Sequence, residues 1–286
     1  MINTKAKSVR LKYSEKNGIQ FVISIIVIFG VLFSLLPLFI TIMNSVKSHV
    51  EIRLSIFSFP ISFVTDNFVT AFSLLESGIL NSVFVATVGS MVRVIFASVI
   101  AYMFVRKEFM GKEFFFTLYI TMMMIPSILG ISVLYDFMYK IKLINSYFGL
   151  WLPYVAGGQA GAMFLFRIFF KQQPEAIFEA AKIDGANDFY IFIVMVVPLA
   201  FPIMLYAFLG GFSSYYNDYL WPALVLKSED KLTLMTVLLR SSSLYDSTNL
   251  GVVYAMYLIS GIPLIITSSI SLKFFQSGDF ASGMKL

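Results

Sequence analysis

The chain has 286 residues, of which 58% are hydrophobic and only 13% charged. A soluble domain carries about 25% charged residues to cover its surface, so a large part of this surface must face lipid. There is no cysteine and one histidine, His49, which excludes disulfides, thiolate metal sites, cysteine nucleophiles and His-based triads or metal clusters. No catalytic and no metal-ligating residues are expected.

A spanning helix needs about 20 mostly apolar residues, so stretches without charge mark the elements. Residues 1–18 form a basic leader with Lys5, Lys7, Arg10, Lys12 and Lys16. No charge falls between Lys16 and Lys47, which predicts segment 1 at about 20–44. It is too long for a signal-peptide core and lacks a small-residue cleavage site, so it is expected to be retained. Segment 2 is predicted at about 80–105, interrupted only by Arg93. Segment 3 fills the gap between Glu113 and Asp136, and segment 4 that between Lys142 and Arg167. Segment 5 runs from Phe189 to Asn217, and segment 6 lies between Asp246 and Lys273. Barrel strands would alternate apolar and polar residues over about ten positions, and these runs do not. The expectation is an all-α, polytopic protein with six transmembrane helices in a single domain, 1–286.

Cytoplasmic loops are enriched in Lys and Arg. The leader, Arg106, Lys107, Lys112, Arg167, Lys171, Lys182, Lys273 and Lys285 outnumber Lys47, Arg53, Lys140, Lys142, Lys227, Lys231 and Arg240 on the other side. Both termini are therefore expected in the cytoplasm, with a cytoplasmic loop at 171–188 and an outer loop at 218–248. This distribution accounts for the net charge of +5 without nucleic acid. Pro37, Pro126, Pro198, Pro202 and Pro263 fall inside the spans. They shape the helices, and in segments 3 and 5 they could build a cavity that opens and closes.

The 171–188 loop is the most informative stretch. Pro174 suits the first turn of a short helix, and Glu175 suits its positive end. Gly185 can take the left-handed conformation that ends it, and Asp188 can cap segment 5. Its acids, Glu175, Glu179, Asp184 and Asp188, outnumber Lys171 and Lys182. That balance is unsuited to anionic lipid and suits docking on a protein. Ala180 and Ala181 are small enough for a helix to seat deeply in a groove.

The run Glu179-Ala180-Ala181, Gly185, then Pro198 and Pro202, resembles the inner-membrane permease subunits of bacterial ABC importers, in the carbohydrate, maltose-transporter branch. Asn81-Ser82, Ala101-Tyr102, Met124-Ile125-Pro126 and Phe166-Arg167 extend the resemblance over nearly the whole chain. Tyr216-Asn217-Asp218-Tyr219 stands where the family usually has Trp-Asn-Asp, and Gly283-Met284-Lys285 resembles its tail with imperfect spacing. Six spans match the smaller of the two permeases.

The resemblance implies a type I ABC-importer permease fold in the bacterial inner membrane. It implies ATP-driven import of a sugar or oligosaccharide by alternating access. The partners implied are a second, larger permease in a heterodimer, two copies of a cytoplasmic ATPase, an extracellular or periplasmic sugar-binding protein and membrane lipid. ATP and Mg would sit on the ATPases. The chain has no Walker-type phosphate loop, is not itself expected to be an enzyme, and is expected to bind no cofactor. Carried over by motif position, Glu179 pairs with a basic ATPase residue, and Ala180, Ala181, Asp184 and Gly185 complete the docking surface. The polar, loop-like stretch with Ser241, Ser242, Ser243, Asp246 and Asn249 either reaches into the binding protein or is a plain connector.

Arg93 lies several helical turns from Arg106, too deep to reach the interface easily. An ionisable residue at such depth is a functional candidate. It could line the sugar path, hold an acidic sugar or pair across the permease interface; otherwise it is a structural pair or bonds backbone carbonyls of a neighbouring helix. Asn217 is a weaker path candidate. The competing readings are a permease of the same fold for a non-sugar solute and an ion-coupled secondary transporter. The uncharged cores of the other segments argue against the latter.

Overall fold

The computed structural model describes the backbone of residues 2–276 and, Ser127 apart, the side chains of residues 20–273. Among these every regular element is helical: α1 Ile2–Ser45, α2 His49–Leu54, α3 Asp66–Arg106, α4 Lys112–Thr121, α5 Ile131–Lys140, α6 Phe148–Lys171, α7 Glu175–Ile183, α8 Asp188–Ile191, α9 Val197–Tyr216, α10 Leu220–Val225, α11 Leu234–Tyr245 and α12 Leu250–Gln276. The tail Gly283-Met284-Lys285 lies outside the described residues.

Among the described residues four helical stretches are long and apolar enough to cross a membrane: Gln20–Ser45 of α1, α3, the run Asp188–Tyr216, and Leu250–Lys273 of α12. A fifth arises if the bent pair Lys112–Met124 and Ile128–Lys140 counts as one span. The segment expected between Lys142 and Arg167 forms α6, 24 residues long. Its apolar character is diluted by Gln159 and by Gly149, Gly157, Gly158 and Gly161. Segment 2 begins earlier than charge spacing suggested, because the polar turns from Asp66 onward are already helical.

Prolines act differently in the two segments where kinks were expected. Segment 3 bends by 83°. Ile125 before Pro126 takes an extended conformation (φ −81°, ψ 117°), as sterics before proline demand, and Pro126 itself has ψ 121°. In segment 5 the helix continues through a π-helical turn, Phe192–Val196, immediately before Pro198 in the first turn of α9. Pro153, not counted among the span prolines, lies inside α6.

The chain divides into two compact units, Met1–Ala71 with Leu244–Leu258, and Phe72–Ser243 with Ile259–Leu286. In the first unit the buried Asn67 donates to the carbonyls of Ser45 (2.9 Å) and Lys47 (3.0 Å) and accepts from Asn249 (3.3 Å). His49 Nδ1 accepts from the Leu250 amide at 3.1 Å. These bonds satisfy the last carbonyl of α1, the Lys47 carbonyl in the turn that follows and one orphan amide at the start of α12.

The second unit is built on α3, α6 and α9. Its buried core contains Ala97, Ala101, Ala162, Ala200 and Ala207 beside Met163, Phe166, Phe170, Ile191 and Val196. Lipid tails are as apolar as leucine, so packing contacts rather than exclusion of water hold such helices together, and small residues permit the closest approach. Several large polar side chains inside this unit find backbone partners. Trp151 donates to Val85 (3.1 Å), Trp221 to Gly149 (2.9 Å) and Tyr216 to Ser260 (2.9 Å). Asn81 donates to the carbonyls of Asp230 and Leu232, and Ser82 accepts from the Leu234 amide, so this motif pins the segment leading into α11.

Candidate functional site

The loop between α6 and α8 folds as the local signals dictate, with two adjustments. Pro174 sits one place ahead of α7 rather than inside its first turn. The side-chain cap of α8 comes from Asn187, which accepts from the Tyr190 amide at 2.8 Å, and not from Asp188. Asp188 instead pairs with Lys107. At the end of α7, Ala186 N donates to Ala181 O (2.9 Å) and Gly185 N to Lys182 O (3.0 Å). This double closure requires Gly185 at φ +85°.

One face of α7 is held by its own chain. Phe178 is buried and Ala181 half-buried against the core. Arg106, at the end of α3, closes over them. Its guanidinium lies 4.1 Å from the Phe178 ring centre and donates to the carbonyls of Phe170 (3.2 Å) and Gln173 (3.3 Å). It also faces Glu175 at 3.6 Å. Charged hydrogen bonds to carbonyls contribute about 1.5–3 kcal/mol each and a cation–π contact about 0.5–2 kcal/mol. The exposed Glu175 pair adds about 0–1 kcal/mol, so the ring and the carbonyls dominate.

The opposite face is exposed and carries Ala176, Glu179, Ala180 and Ile183, spaced as one helical stripe. Ile183 is 86% exposed. Of the loop's acids, Glu175 and Asp188 are taken by Arg106 and Lys107, while Glu179 and Asp184 have no ion pair among the described residues. Two small residues, an aliphatic anchor and an unpaired carboxylate form a surface suited to a groove on another protein. Sequence reasoning assigned both alanines to that surface; Ala180 is on it, while Ala181 turns toward its own core. It missed Arg106, Lys107 and Phe178, having read the basic pair only as a topological signal.

Arg93 is half-buried between α3, α6 and α9. Its Nη2 donates to the Ala207 carbonyl at 2.6 Å, and its Cζ lies 5.7 Å from the centre of the Tyr215 ring. A Cβ at residue 211 would fall 3.0 Å from Arg93 Cζ and 2.9 Å from Ser90 Oγ, so glycine is what lets the guanidinium reach α9. Tyr215 stacks on Tyr154 (4.3 Å, 7°) and donates to its carbonyl, and Tyr154 donates to Asp218 at 2.7 Å. Arg93 thus makes the backbone-carbonyl bond that was one of its open readings. Asn217 is exposed and donates to Ser213 of its own helix at 2.8 Å.

The stretch 241–249 is less loop-like than its composition suggested. Ser241, Ser242 and Ser243 belong to α11, where Ser242 and Ser243 bond back to carbonyls of their own helix, and Ser242 is buried. Serine hydroxyls can satisfy themselves within a helix in this way. Asp246 is exposed in the following turn, and Asn249 accepts from the Gly251 amide at the start of α12.

The fold and the loop together define a multi-pass helical membrane protein with a preformed surface helix between α6 and α9. Residues 93–278, well over half of the chain, match the family described as binding-protein-dependent transport system inner membrane component, and the chain belongs to that family. It is 30% identical to the arabinooligosaccharides transport system permease protein AraQ of Halalkalibacterium halodurans, over 79% of this chain and 81% of that one. It is also 30% identical to the diacetylchitobiose uptake system permease protein NgcG of Streptomyces coelicolor (81% and 78%). Identity is 27% to the trehalose/maltose transport system permease protein MalG of Thermococcus litoralis (72% and 74%). The crystal structure of a bacterial ABC transporter involved in the import of the acidic polysaccharide alginate contains a chain that superposes with a TM-score of 0.80 at 22% identity. That match covers 89% of this chain and 95% of the other, and establishes a shared fold.

Proposed function

We propose that this chain is one permease subunit of an ATP-driven importer that carries a sugar or oligosaccharide into the cell. The observation that carries this reading is the outer face of α7: an unpaired carboxylate and small residues on a helix clamped to the ends of α3 and α6, in a family of binding-protein-dependent transport components. The relatives named for arabinooligosaccharides, diacetylchitobiose and trehalose/maltose favour a sugar.

In this reading α1, α3, the broken pair α4–α5, α6, the run α8–α9 and α12 are six spans, and both termini are cytoplasmic. The α7 face seats in a cleft of one of two ATPases, which hold ATP and Mg. Glu179 meets a basic residue there, flanked by Ala180, Asp184 and Gly185, while Ala181 backs the helix against its own core. Closure of the ATPases moves α7, and the Arg106 clamp passes that motion to α3 and α6, alternating access with a larger partner permease. A sugar-binding protein meets the outer side at the exposed turn that carries Asp246. Arg93 and Asn217 serve the path indirectly, Arg93 by keeping α3 and α9 together as the bundle rearranges.

The test is reconstitution with the partner permease, ATPase and binding protein. Candidate oligosaccharides with binding protein are expected to stimulate ATP hydrolysis and uptake, and Glu179→Lys to abolish stimulation or assembly. Stimulation by non-sugar solutes alone would refute the substrate class. A normally responding Glu179→Lys complex would refute the coupling assignment.

A further inference from the structure

The stretch 54–65, from the last residue of α2 to the start of α3, contains no charged residue: Arg53 precedes it and Asp66 follows. Within it Phe57, Phe59, Ile61 and Phe63 alternate along an irregular backbone, and all are between 73% and 90% exposed. Four bulky apolar side chains presented by one loop are unusual for a surface that meets water.

The polar backbone of this loop is satisfied from within. Lys47 is fully buried, and its ammonium donates to the carbonyls of Ser55 (3.2 Å) and Ile56 (3.4 Å) and to Ser58 Oγ (3.3 Å). Asn44 donates to the Ile56 carbonyl at 3.1 Å, and Glu51 accepts from the Ile61 amide at 2.6 Å. A buried ammonium carries a large desolvation cost and is held here by oxygens alone, with no carboxylate partner among the described residues. In water those carbonyls would need no such donor. Where water is scarce each unmet backbone group costs several kcal/mol.

The same bonds set the height of the loop. Asn44 lies in the last turn of the apolar stretch Gln20–Ser45, and Lys47 follows two residues after its end. Both hold the loop's first half, while the Val64 amide donates to the Val46 carbonyl at 2.7 Å and ties down the other end. The loop is thus pinned at both ends to the point where α1 leaves the apolar layer. Exposed phenylalanines at that level are the chemistry of an interfacial anchor.

We infer that residues 54–63 form a membrane-interface wedge: Phe57, Phe59, Ile61 and Phe63 insert among lipid headgroups and upper acyl chains where α1 emerges, with Lys47, Asn44 and Glu51 as the internal frame. The inference rests on α1 crossing the membrane and is independent of the transported solute.

The natural absence of cysteine in this chain makes the test direct. Phe59→Cys and Ile61→Cys are labelled with an environment-sensitive fluorophore, with Asp230→Cys as an exposed, charged-loop reference. Each labelled chain is assembled with unlabelled partner subunits in vesicles. Lipids with a nitroxide high on the acyl chain are expected to quench positions 59 and 61 several-fold more than position 230, and aqueous iodide to show the reverse order. Iodide quenching at 59 and 61 equal to that at 230 would place the loop in water and overturn the inference. Protection from both quenchers would mean that a protein subunit covers the loop, and would overturn it equally. Both labelled side chains point away from the core, so folding does not depend on them.

Discussion

The guanidinium of Arg106 lies 4.1 Å from the centre of the Phe178 ring, joining the end of α3 to the buried face of α7. The contact converts a short surface helix into a rigid extension of the bundle. A helix this short is marginal by itself, so its persistence depends on tertiary anchoring. Phe178→Ala removes the anchor, and truncation of a buried phenylalanine costs about 3–5 kcal/mol. Faster hydrogen exchange across 175–186 is expected, with loss of solute-stimulated ATP hydrolysis in the assembled transporter. Phe178→Leu should restore most of both.

Gly185 isolates backbone strain from packing. Its φ is +85°, yet a Cβ there would meet nothing within 4 Å. Gly185→Val should therefore destabilise the end of α7 by about 1–3 kcal/mol through conformation alone, and Gly185→Asn by clearly less, since asparagine tolerates the left-handed region. Thermal unfolding of the purified chain and exchange at the Ala186 amide read this order. Equal effects of the two substitutions would contradict it.

Glu179 provides the opposite case. It is exposed and has no ion pair among the described residues, so Glu179→Lys should change stability by no more than about 0.5 kcal/mol. Co-purification with the ATPase subunit should nevertheless be lost. A charge reversal at the basic residue of the ATPase cleft is expected to restore it.

Arg93 and Gly211 should be energetically coupled. Gly211→Ala drives a methyl toward Arg93 Cζ and Ser90 Oγ, and such overpacking costs about 1–3 kcal/mol. Arg93→Ala removes a charged hydrogen bond to Ala207 worth about 1.5–3 kcal/mol. The double variant should lose less than the sum, because the methyl then occupies space the guanidinium has left. A double-mutant cycle on thermal unfolding in nanodiscs measures the difference, and strict additivity would show that Arg93 does not hold α9 where described.

Much of the architecture is legible from charge spacing because an apolar layer tolerates so few charges. The stretches at Lys16–Lys47 and Asp246–Lys273 contain α1's span and α12's with small errors at the ends. The early start of α3 was not legible, since helix outside the apolar layer leaves no mark in hydropathy. Nor was the cap of α8. Asn187 and Asp188 are equally good caps by type, and Asp188 is drawn away by Lys107, 81 residues distant in the chain. The serines at 241–243 read as loop because their polarity is conspicuous, while their bonds to the preceding turn of helix are not.

By itself the sequence determined that this protein lives in a membrane, and where its loop helix begins and ends. Both follow from effects that act locally: the cost of charge in lipid, the ring of Pro174 and the missing side chain of Gly185. Only the tertiary structure decided which of the loop's acids face outward unpaired, which alanine belongs to the core, and that Arg93 is tied to a carbonyl. Those outcomes depend on which distant residue arrives at hydrogen-bonding distance, and that is set by the packing of α3 against α6 and α9.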